Sequence, residues 1–369
     1  MKIAFGVVTL FAGGGLQRDC MAIARRLAAL GHDVTIFAAR SRGELPGGLK
    51  IELLPNRAFS NHRRDLAFAK AFAAATLGRF DRVVGFGKLL DLDVLYCADP
   101  CLAAKPAKWT AWLSSRRRIQ MQLEAASFAP GQPTRCLLLS ETQAADFRRA
   151  WSTEPDRLVV LPPTIDRNRR KPELRSDGTR ERMRAELQVG AEQLAWLAVA
   201  AQPKVKGLDR AVAALAAFPN ARLFVAGIAN GTKPARLVRG LADKAGVGDR
   251  IHLLGLRGDI PELMAAADVL VQPARYDTTG TVILEALVNG LPVITTPQCG
   301  YAVHVTAADA GLVLPETFSA TDLTEALRSA ESPQRRSAWS HNGAAYGGSQ
   351  PLYDGLDRAA ELIVGGTIS

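Results

Sequence analysis

The chain has 369 residues, of which 48% are hydrophobic and 22% charged; that composition and a length roughly twice that of a common single domain exclude a small disulfide-stapled module, a disordered chain and a fibrous repeat. The net charge of +10 is uneven, with 29 Lys and Arg against 17 Asp and Glu in residues 1–180 and 17 against 19 in residues 181–369. A basic first half calls for an anionic partner, and nucleic acid, an anionic bilayer or a phosphorylated substrate would each meet that need.

The opening run, residues 2–10, is continuously apolar. It turns at Gly13, Gly14 and Gly15 into a helical pattern carried by Met21, Ile23, Ala24, Leu27 and Leu30, which Gly31 closes ahead of a second apolar run at 34–38. This reads as a βαβ unit. The run is too short to span a bilayer and lacks a small-residue cleavage site, so a core strand is expected and not a signal peptide. Further strands are expected at 51–54, 82–86, 94–97, 136–139 and 158–161, with helical stretches between them. Such alternation implies a parallel sheet covered on both faces. Residues 1–165 are therefore taken as an N-terminal Rossmann-like domain.

The apolar signal collapses between Pro162 and Gly190 into a stretch rich in proline and charge, which makes 166–190 the expected interdomain linker. The pattern then restarts. Strands are expected at 196–200, 223–226, 251–253, 269–271, 293–295 and 312–314, with helices at 209–217, 233–245, 261–266 and 281–289, giving a second doubly wound domain over 191–350. The final segment, 351–369, holds a helical stretch at 352–364 that is expected to cross back to the first domain. Two such domains would bring the C-terminal ends of their strands to a common cleft, where open α/β folds bind ligands.

Five cysteines are scattered without CxxC spacing, which suits a reduced, cytosolic protein and no structural zinc. No segment has the run of about 18 apolar residues that a membrane-spanning helix needs.

Several residues fall where chemistry would be done. The triple glycine lets backbone N–H groups approach a phosphate or sugar at a helix N-terminus, although a tight turn explains it equally well and GxGxxG spacing is absent. In YDTTGTVILEALVNGLP, Asp277 sits in a loop, Thr279 and Gly280 lead into a helix, and Glu285 lies two turns along it. The N–H groups of Gly280, Thr281 and Val282 would bind a diphosphate, and the two carboxylates would grip vicinal hydroxyls. The plain alternative is an N-cap and a solvated glutamate. Lys206, in the loop after the first strand of the second domain, would neutralise a diphosphate as a point charge without a metal, or be an ordinary surface lysine. Asp91 and Asp93 form a DxD string, but it runs into a buried-strand pattern and is not read as a metal site. His62 and Arg63 belong to a basic loop that would meet a phosphorylated acceptor or simply solvent, and His304 is equally open between structure and function.

Taken together, GGLQRD (14–19), SNHRRD (60–65), DRVVGF (81–86), LDVLYCAD (92–99), KGLDR (206–210), ELMAAADVL (262–270), the Asp277 to Glu285 spacing and CGYA (299–302) resemble the retaining glycosyltransferases of the GT-B fold. Within them the likeness is to the bacterial lipopolysaccharide-core α-1,3-glucosyltransferases, which move glucose from UDP-glucose to an inner-core heptose. It covers nearly the whole chain. The resemblance implies an α/β fold of two Rossmann-like domains, a UDP-sugar co-substrate, and neither cofactor nor metal. It implies that Gly14, Gly15 and Asp19 border the donor sugar and diphosphate. Lys206 would bind phosphate, Glu285 the ribose, and the segment from Arg257 to Ile260 the uracil. Asp99 and Asp277 would lie near the reacting sugar, and Arg169 near the acceptor. Three departures bear on donor identity. Asp277 stands where the family has Glu, Val205 where a basic residue flanks the phosphate lysine, and Ala200 and Ala201 where small polar residues or glycine are usual.

The segment KPAKWTAWLSSRRR gathers Arg116, Arg117 and Arg118 near Trp109 and Trp112. That composition suits a helix lying on an anionic bilayer, where each basic residue contributes about 1 kcal/mol; a surface helix with its aromatics in the core is the alternative. The expected partners are a UDP-sugar, a lipid-anchored phosphorylated heptose and the inner face of the cytoplasmic membrane. Nucleic acid is not expected, since no recognition motif accompanies the basic charge. The competing readings are another UDP-sugar-dependent enzyme of the same fold, with a different donor or acceptor or acting as an epimerase, and, outside enzymes, a nucleic-acid-binding α/β protein that uses the basic half.

Overall fold

The computed structural model describes residues 1–11, 14–43, 47–55, 60–105 and 114–365. The chain divides into two compact units, one of Met1–Pro163 with Asp354–Ser369 and the other of Thr164–Tyr353.

In unit 1 the described strands are β1 (Lys2–Leu10), β2 (Asp33–Ser41), β3 (Lys50–Leu53), β4 (Arg82–Phe86), β5 (Val94–Cys97), β6 (Arg135–Leu138) and β7 (Leu158–Val160). They form one parallel sheet in the order 3-2-1-4-5-6-7, with Phe5 in register with Ile36 on one side and Val84 on the other. Because a central parallel strand is covered on both faces, its successive side chains feed two cores. Ile3, Phe5 and Val7 enter one with α1 (Gly15–Ala29) and α13 (Gly355–Ile363), while Ala4 enters the other with α2 (Asn61–Thr76), α3 (Ser115–Phe128) and α4 (Glu141–Trp151). The second core is aromatic: Phe128 and Phe147 stack with centroids 3.6 Å apart. Asp93 ends up structural, its Oδ2 accepting the Val83 N–H at 2.7 Å ahead of β5.

Unit 2 repeats the plan with β8 (Leu194–Val199), β9 (Ala221–Ala226), β10 (Ile251–Gly255), β11 (Val269–Gln272), β12 (Val293–Thr295) and β13 (Gly311–Val313), parallel in the order 10-9-8-11-12-13. One face packs on α6 (Leu208–Leu215), α7 (Lys233–Lys244) and α11 (Ala320–Ser329) around the fully buried Trp196. The other packs on α5 (Thr179–Glu186), α8 (Ile260–Ala266), α9 (Thr281–Val288) and α10 (Ala302–Ala307). Across α9 lies α12 (Pro333–Ser349), a helix with no clear apolar stripe in its sequence. Its Gly343 and Gly347 permit the approach, since a Cβ on Gly343 would stand 2.8 Å from the Leu287 carbonyl oxygen and one on Gly347 2.6 Å from a Val288 methyl.

The expected linker, 166–190, is instead part of unit 2. Its arginines are consumed by structure. Arg175, Arg180 and Arg184 donate to the carbonyls of residues 264–267 at the C-terminal end of α8, groups that a helix cannot satisfy itself. Arg180 and Arg184 also hold the buried Asp268 at 2.6 and 3.0 Å. Reassigning this segment changes the charge reading. Unit 1 carries 24 Lys and Arg against 17 Asp and Glu, and unit 2 carries 22 against 19, so the excess is +7 and +3.

All five cysteines are free and buried. Burial raises each thiol pKa, to about 12 for Cys136 and about 11 for Cys101 and Cys299, so the reactive thiolate is scarce at neutral pH. A chromogenic disulfide reagent at roughly pH 8 is expected to leave the native protein unlabelled over the minutes in which denatured protein titrates all five thiols.

Candidate functional site

In unit 2 the loops after β8 and β11 are stitched together. The Arg275 N–H donates to the Val205 carbonyl at 2.8 Å, and the Arg275 guanidinium reaches the Lys204 carbonyl and both carboxylate oxygens of Asp209. Gly207 makes this possible: its φ is +70°, and a Cβ there would lie 1.9 Å from the Pro273 carbonyl oxygen. The consequence is an ion pair between the Lys206 ammonium and Asp277 Oδ2, both largely buried, with Gln272 Nε2 donating to the same oxygen at 3.3 Å.

Asp277 is fixed through its backbone as well, its N–H donating to the Gln298 carbonyl at 3.0 Å and its carbonyl accepting from Gly300 at 3.0 Å. The chain then passes Thr279, whose carbonyl accepts the Tyr301 N–H at 2.7 Å, and turns into α9 at Gly280, φ +75°. Thr279 and Thr281 hydroxyls lie 3.3 Å apart. The first N–H groups of α9, those of Thr281 and Val282, have no partner within the helix. A lysine, a carboxylate and the positive end of a helix dipole thus meet over a few residues, an arrangement suited to a diphosphate and the hydroxyls beside it.

Further along α9, Glu285 accepts from Arg169 Nη1 at 3.2 and 3.3 Å. Arg169 ends a 3-10 turn (Arg167–Arg169) that Asn289 binds to α9, donating to the carbonyls of Arg169 and Glu285 and accepting the Lys171 N–H at 2.7 Å. Arg169, grouped with the acceptor residues in the sequence reading, is therefore a partner of Glu285. Arg257 is held by Asp259 at 2.8 and 2.5 Å and by Glu186 at 3.3 Å. The Ile260 side chain is 6% exposed in the core of unit 2, because the first apolar residue of a short helix is drawn inward.

Unit 1 holds a cavity of about 550 Å³ at the C-terminal ends of β1, β2, β4 and β5. Asp99 lines it, as do Arg40, Arg42, Asp65, Lys88 and Gln120. Gly14 precedes α1, its carbonyl accepting the Arg18 N–H, and Gly15 is the first residue of that helix. Asp19, one turn on, accepts the Tyr96 hydroxyl at 2.9 Å. Burial pushes the Asp19 carboxyl above the usual range, and Tyr96 and Arg18 only partly oppose it. Burial also raises Asp65, against the pull of Arg40, Arg64, His62 and Arg116. Arg40 itself is oriented by its Nε donating to Thr9 Oγ1 at 2.9 Å.

Other sequence candidates are used differently. His62 Nε2 lies 3.2 Å from the hydroxyls of both Ser60 and Ser115, joining the starts of α2 and α3, and Arg63 is exposed on α2. Arg116 and Arg118 are exposed in the first turn of α3 and Arg117 is half-buried there, while Trp109 and Trp112 lie outside the described residues. His304 is half-buried and shares a 2.7 Å hydrogen bond with the Tyr346 hydroxyl. Among the described residues no three His, Cys, Asp or Glu gather in a metal-binding arrangement, and no helix is long and apolar enough to cross a membrane. Sequence reasoning missed Arg40, Gln272 and Arg275, which no motif marks, and gave no part to Asp65, although it closes the SNHRRD string. It also missed Glu124, whose signal was a lone carboxylate amid the apolar positions of α3.

Residues 179–345 match the glycosyl transferases group 1 family and residues 13–169 match glycosyltransferase family 4. The chain is 39% identical to the lipopolysaccharide glucosyltransferase WaaG of Escherichia coli K12 over 99% of both proteins. It superposes on the crystal structure of WaaG, a glycosyltransferase involved in lipopolysaccharide biosynthesis, with a TM-score of 0.88 at 38% identity, covering 99% of this chain and 100% of that one. The Anabaena protein HepE, solved in complex with UDP and glucose, shares the fold at a TM-score of 0.74 and 18% identity, covering 99% and 100% of the two chains.

Two outcomes follow from this geometry. Gly207→Ala is expected to cost about 2–3 kcal/mol in urea unfolding, because it adds a side chain in the left-handed region against a carbonyl. For Asp19, ionisation needs a higher pH than for an exposed carboxylate; since the Tyr96 hydroxyl favours the ionised form, Tyr96→Phe is expected to shift the acid limb of kcat/KM to higher pH, read from rate profiles of both proteins.

Proposed function

This chain belongs to the GT-B glycosyltransferases, in the family of the lipopolysaccharide glucosyltransferases, and on that footing we propose that it moves glucose from UDP-glucose to an inner-core heptose of lipopolysaccharide. The observation that carries the reading is the meeting of Lys206 and Asp277 ahead of the α9 N-terminus, with Glu285 about one turn along the same helix. In this reading the diphosphate takes Lys206 and the N–H groups of Gly280, Thr281 and Val282, so its charge is met without a metal. Glu285 accepts from the ribose hydroxyls, with Arg257 and the backbone at Ile260 beside the base. Asp277 accepts from hydroxyls of the transferred sugar, one methylene shorter than the glutamate usual in the family. That shorter reach makes donor choice the first property to measure.

Unit 1 serves the acceptor. Gly14, Gly15 and Asp19 border the sugar and diphosphate, Asp99 faces the reacting centre, and the cavity offers Arg40 and Arg42 to a phosphorylated heptose, with His62 and Arg63 on neighbouring α2. Transfer proceeds with retention. The acceptor oxygen bonds to the anomeric carbon on the face from which the diphosphate leaves, and the departing phosphate oxygen takes the acceptor proton. The exposed Arg116 and Arg118 of α3, beside the Trp109 and Trp112 segment, would rest on the anionic inner face of the cytoplasmic membrane.

Incubation with UDP-glucose and heptose-bearing lipid A core is expected to release UDP and yield an α-linked product; no release with any UDP-sugar would sink the reading, and UDP-sugar conversion without acceptor would favour an epimerase. Glu285→Ala and Lys206→Ala are each expected to lower kcat/KM about 100-fold with the circular dichroism spectrum unchanged.

A further inference from the structure

Unit 1 contains a buried polar node to which neither the sequence motifs nor the reaction described above gives a part. Glu124, on α3, is 0% exposed yet ionisable, and it is surrounded by donors. Lys88 Nζ reaches its Oε2 at 2.5 Å, Trp151 Nε1 its Oε1 at 2.8 Å, and the backbone N–H groups of Leu102 and Ala103 donate to the carboxylate at 2.8 and 2.9 Å. Lys88 also donates to the Pro100 carbonyl at 2.8 Å and lies 5.4 Å from the centre of the Phe147 ring. From the other side Gln143, 1% exposed, accepts the Leu139 N–H and donates to the carbonyls of Cys97 and Asp99 at 2.9 and 2.8 Å.

These three side chains hold five backbone groups between residues 97 and 103: the carbonyls of Cys97, Asp99 and Pro100 and the N–H groups of Leu102 and Ala103. That span is the loop that carries Asp99 into the wall of the unit 1 cavity, and Lys88 lines the same cavity. A buried ion pair is a poor means of stabilising a fold, because desolvation offsets most of its attraction. Its advantage is direction. A carboxylate with several acceptor sites and an ammonium with three donors fix a loop in one conformation where apolar packing would leave several.

We propose that Lys88 and Glu124 are positioning residues for the transfer, a buried pair that sets the conformation of the Asp99 loop and places one positive charge beside Asp99. The inference rests on the glycosyltransferase reading and on the part given there to Asp99. Removing either partner leaves a buried charge unpaired and lets the loop drift. Nucleotide binding, made by unit 2, is untouched.

The test is steady-state kinetics of the full-length protein with UDP-glucose and the heptose acceptor for Lys88→Met, Glu124→Gln, the double variant and Trp151→Phe, alongside UDP affinity and thermal midpoint. Each single variant of the pair is expected to lose about 100-fold in kcat, with the UDP-glucose KM and the UDP Kd within about threefold of the parent. The double variant, which removes both charges, is expected to recover the thermal midpoint but not kcat. Trp151→Phe, which alters no charge, is expected to lower kcat several-fold at unchanged donor KM. A parental kcat in Trp151→Phe or in the double variant overturns the proposal, as does a loss of UDP affinity that parallels the loss of rate. An inactive parent protein would instead overturn the glycosyltransferase reading, which keeps the two failures apart.

Discussion

A parallel strand can be joined to a parallel neighbour only after the chain has crossed back over a face of the sheet. Since every pairing among the described strands of both units is parallel, every strand delivers its following loop to the same edge of its own sheet. The candidate site residues are what those loops carry. Gly14 and Gly15 follow β1, Asp99 follows β5, Lys206 follows β8 and Asp277 follows β11. Within unit 1, Gly15 and Asp99 are far apart in sequence, as are Lys206 and Asp277 within unit 2. The crossovers do the gathering, and the helices they are made from add open N–H groups and a positive dipole end at the same edge.

Charge is handled in pairs. Lys206 is matched by Asp277, Glu285 by Arg169, and Lys88 by Glu124. In the proposed reading a nucleotide-sugar would engage the members of the first pair separately, Lys206 facing phosphate and Asp277 facing hydroxyls, while Glu285 of the second pair would face the ribose. On that reading, ligand binding would exchange the Lys206–Asp277 pair for charge-assisted hydrogen bonds to the ligand. The third pair is different in kind, since Lys88 in the cavity wall is held by the fully buried Glu124 and both are tied to backbone.

The two-sheet plan, the strand positions and the stretch around Asp277 to Glu285 were legible in sequence because parallel strands are apolar throughout and helix starts carry their own residue signature. What stayed hidden has a physical cause in each case. Residues 166–190 read as a linker because arginines are ordinarily solvated, whereas Arg175, Arg180 and Arg184 are spent on the open carbonyls of α8 and on Asp268. The helix α12 gave no amphipathic stripe because glycine, a weak helix former, is what its seam with α9 requires. The pairing of Arg169 with Glu285 was invisible because 116 residues separate them. The segment from Arg257 to Ile260 is divided by burial, which takes the Ile260 side chain into the core.

Unit 2 is threaded into the middle of unit 1, leaving it after Pro163 and returning at Asp354. The return delivers α13, whose Leu356, Ala359, Leu362 and Ile363 share a core with Phe5, Ile23 and Leu27. On the ribosome the order of events is then fixed. The first sheet emerges early with part of one face bare, the whole of the second unit is translated next, and only the last stretch of chain covers what was made first. Unit 2 has all its residues before unit 1 does, so the amino-terminal half is the one that waits, and its exposed nascent core is where chaperones would be needed. A stop codon just before Gly355 would spare every residue of unit 2 and still leave unit 1 unfinished.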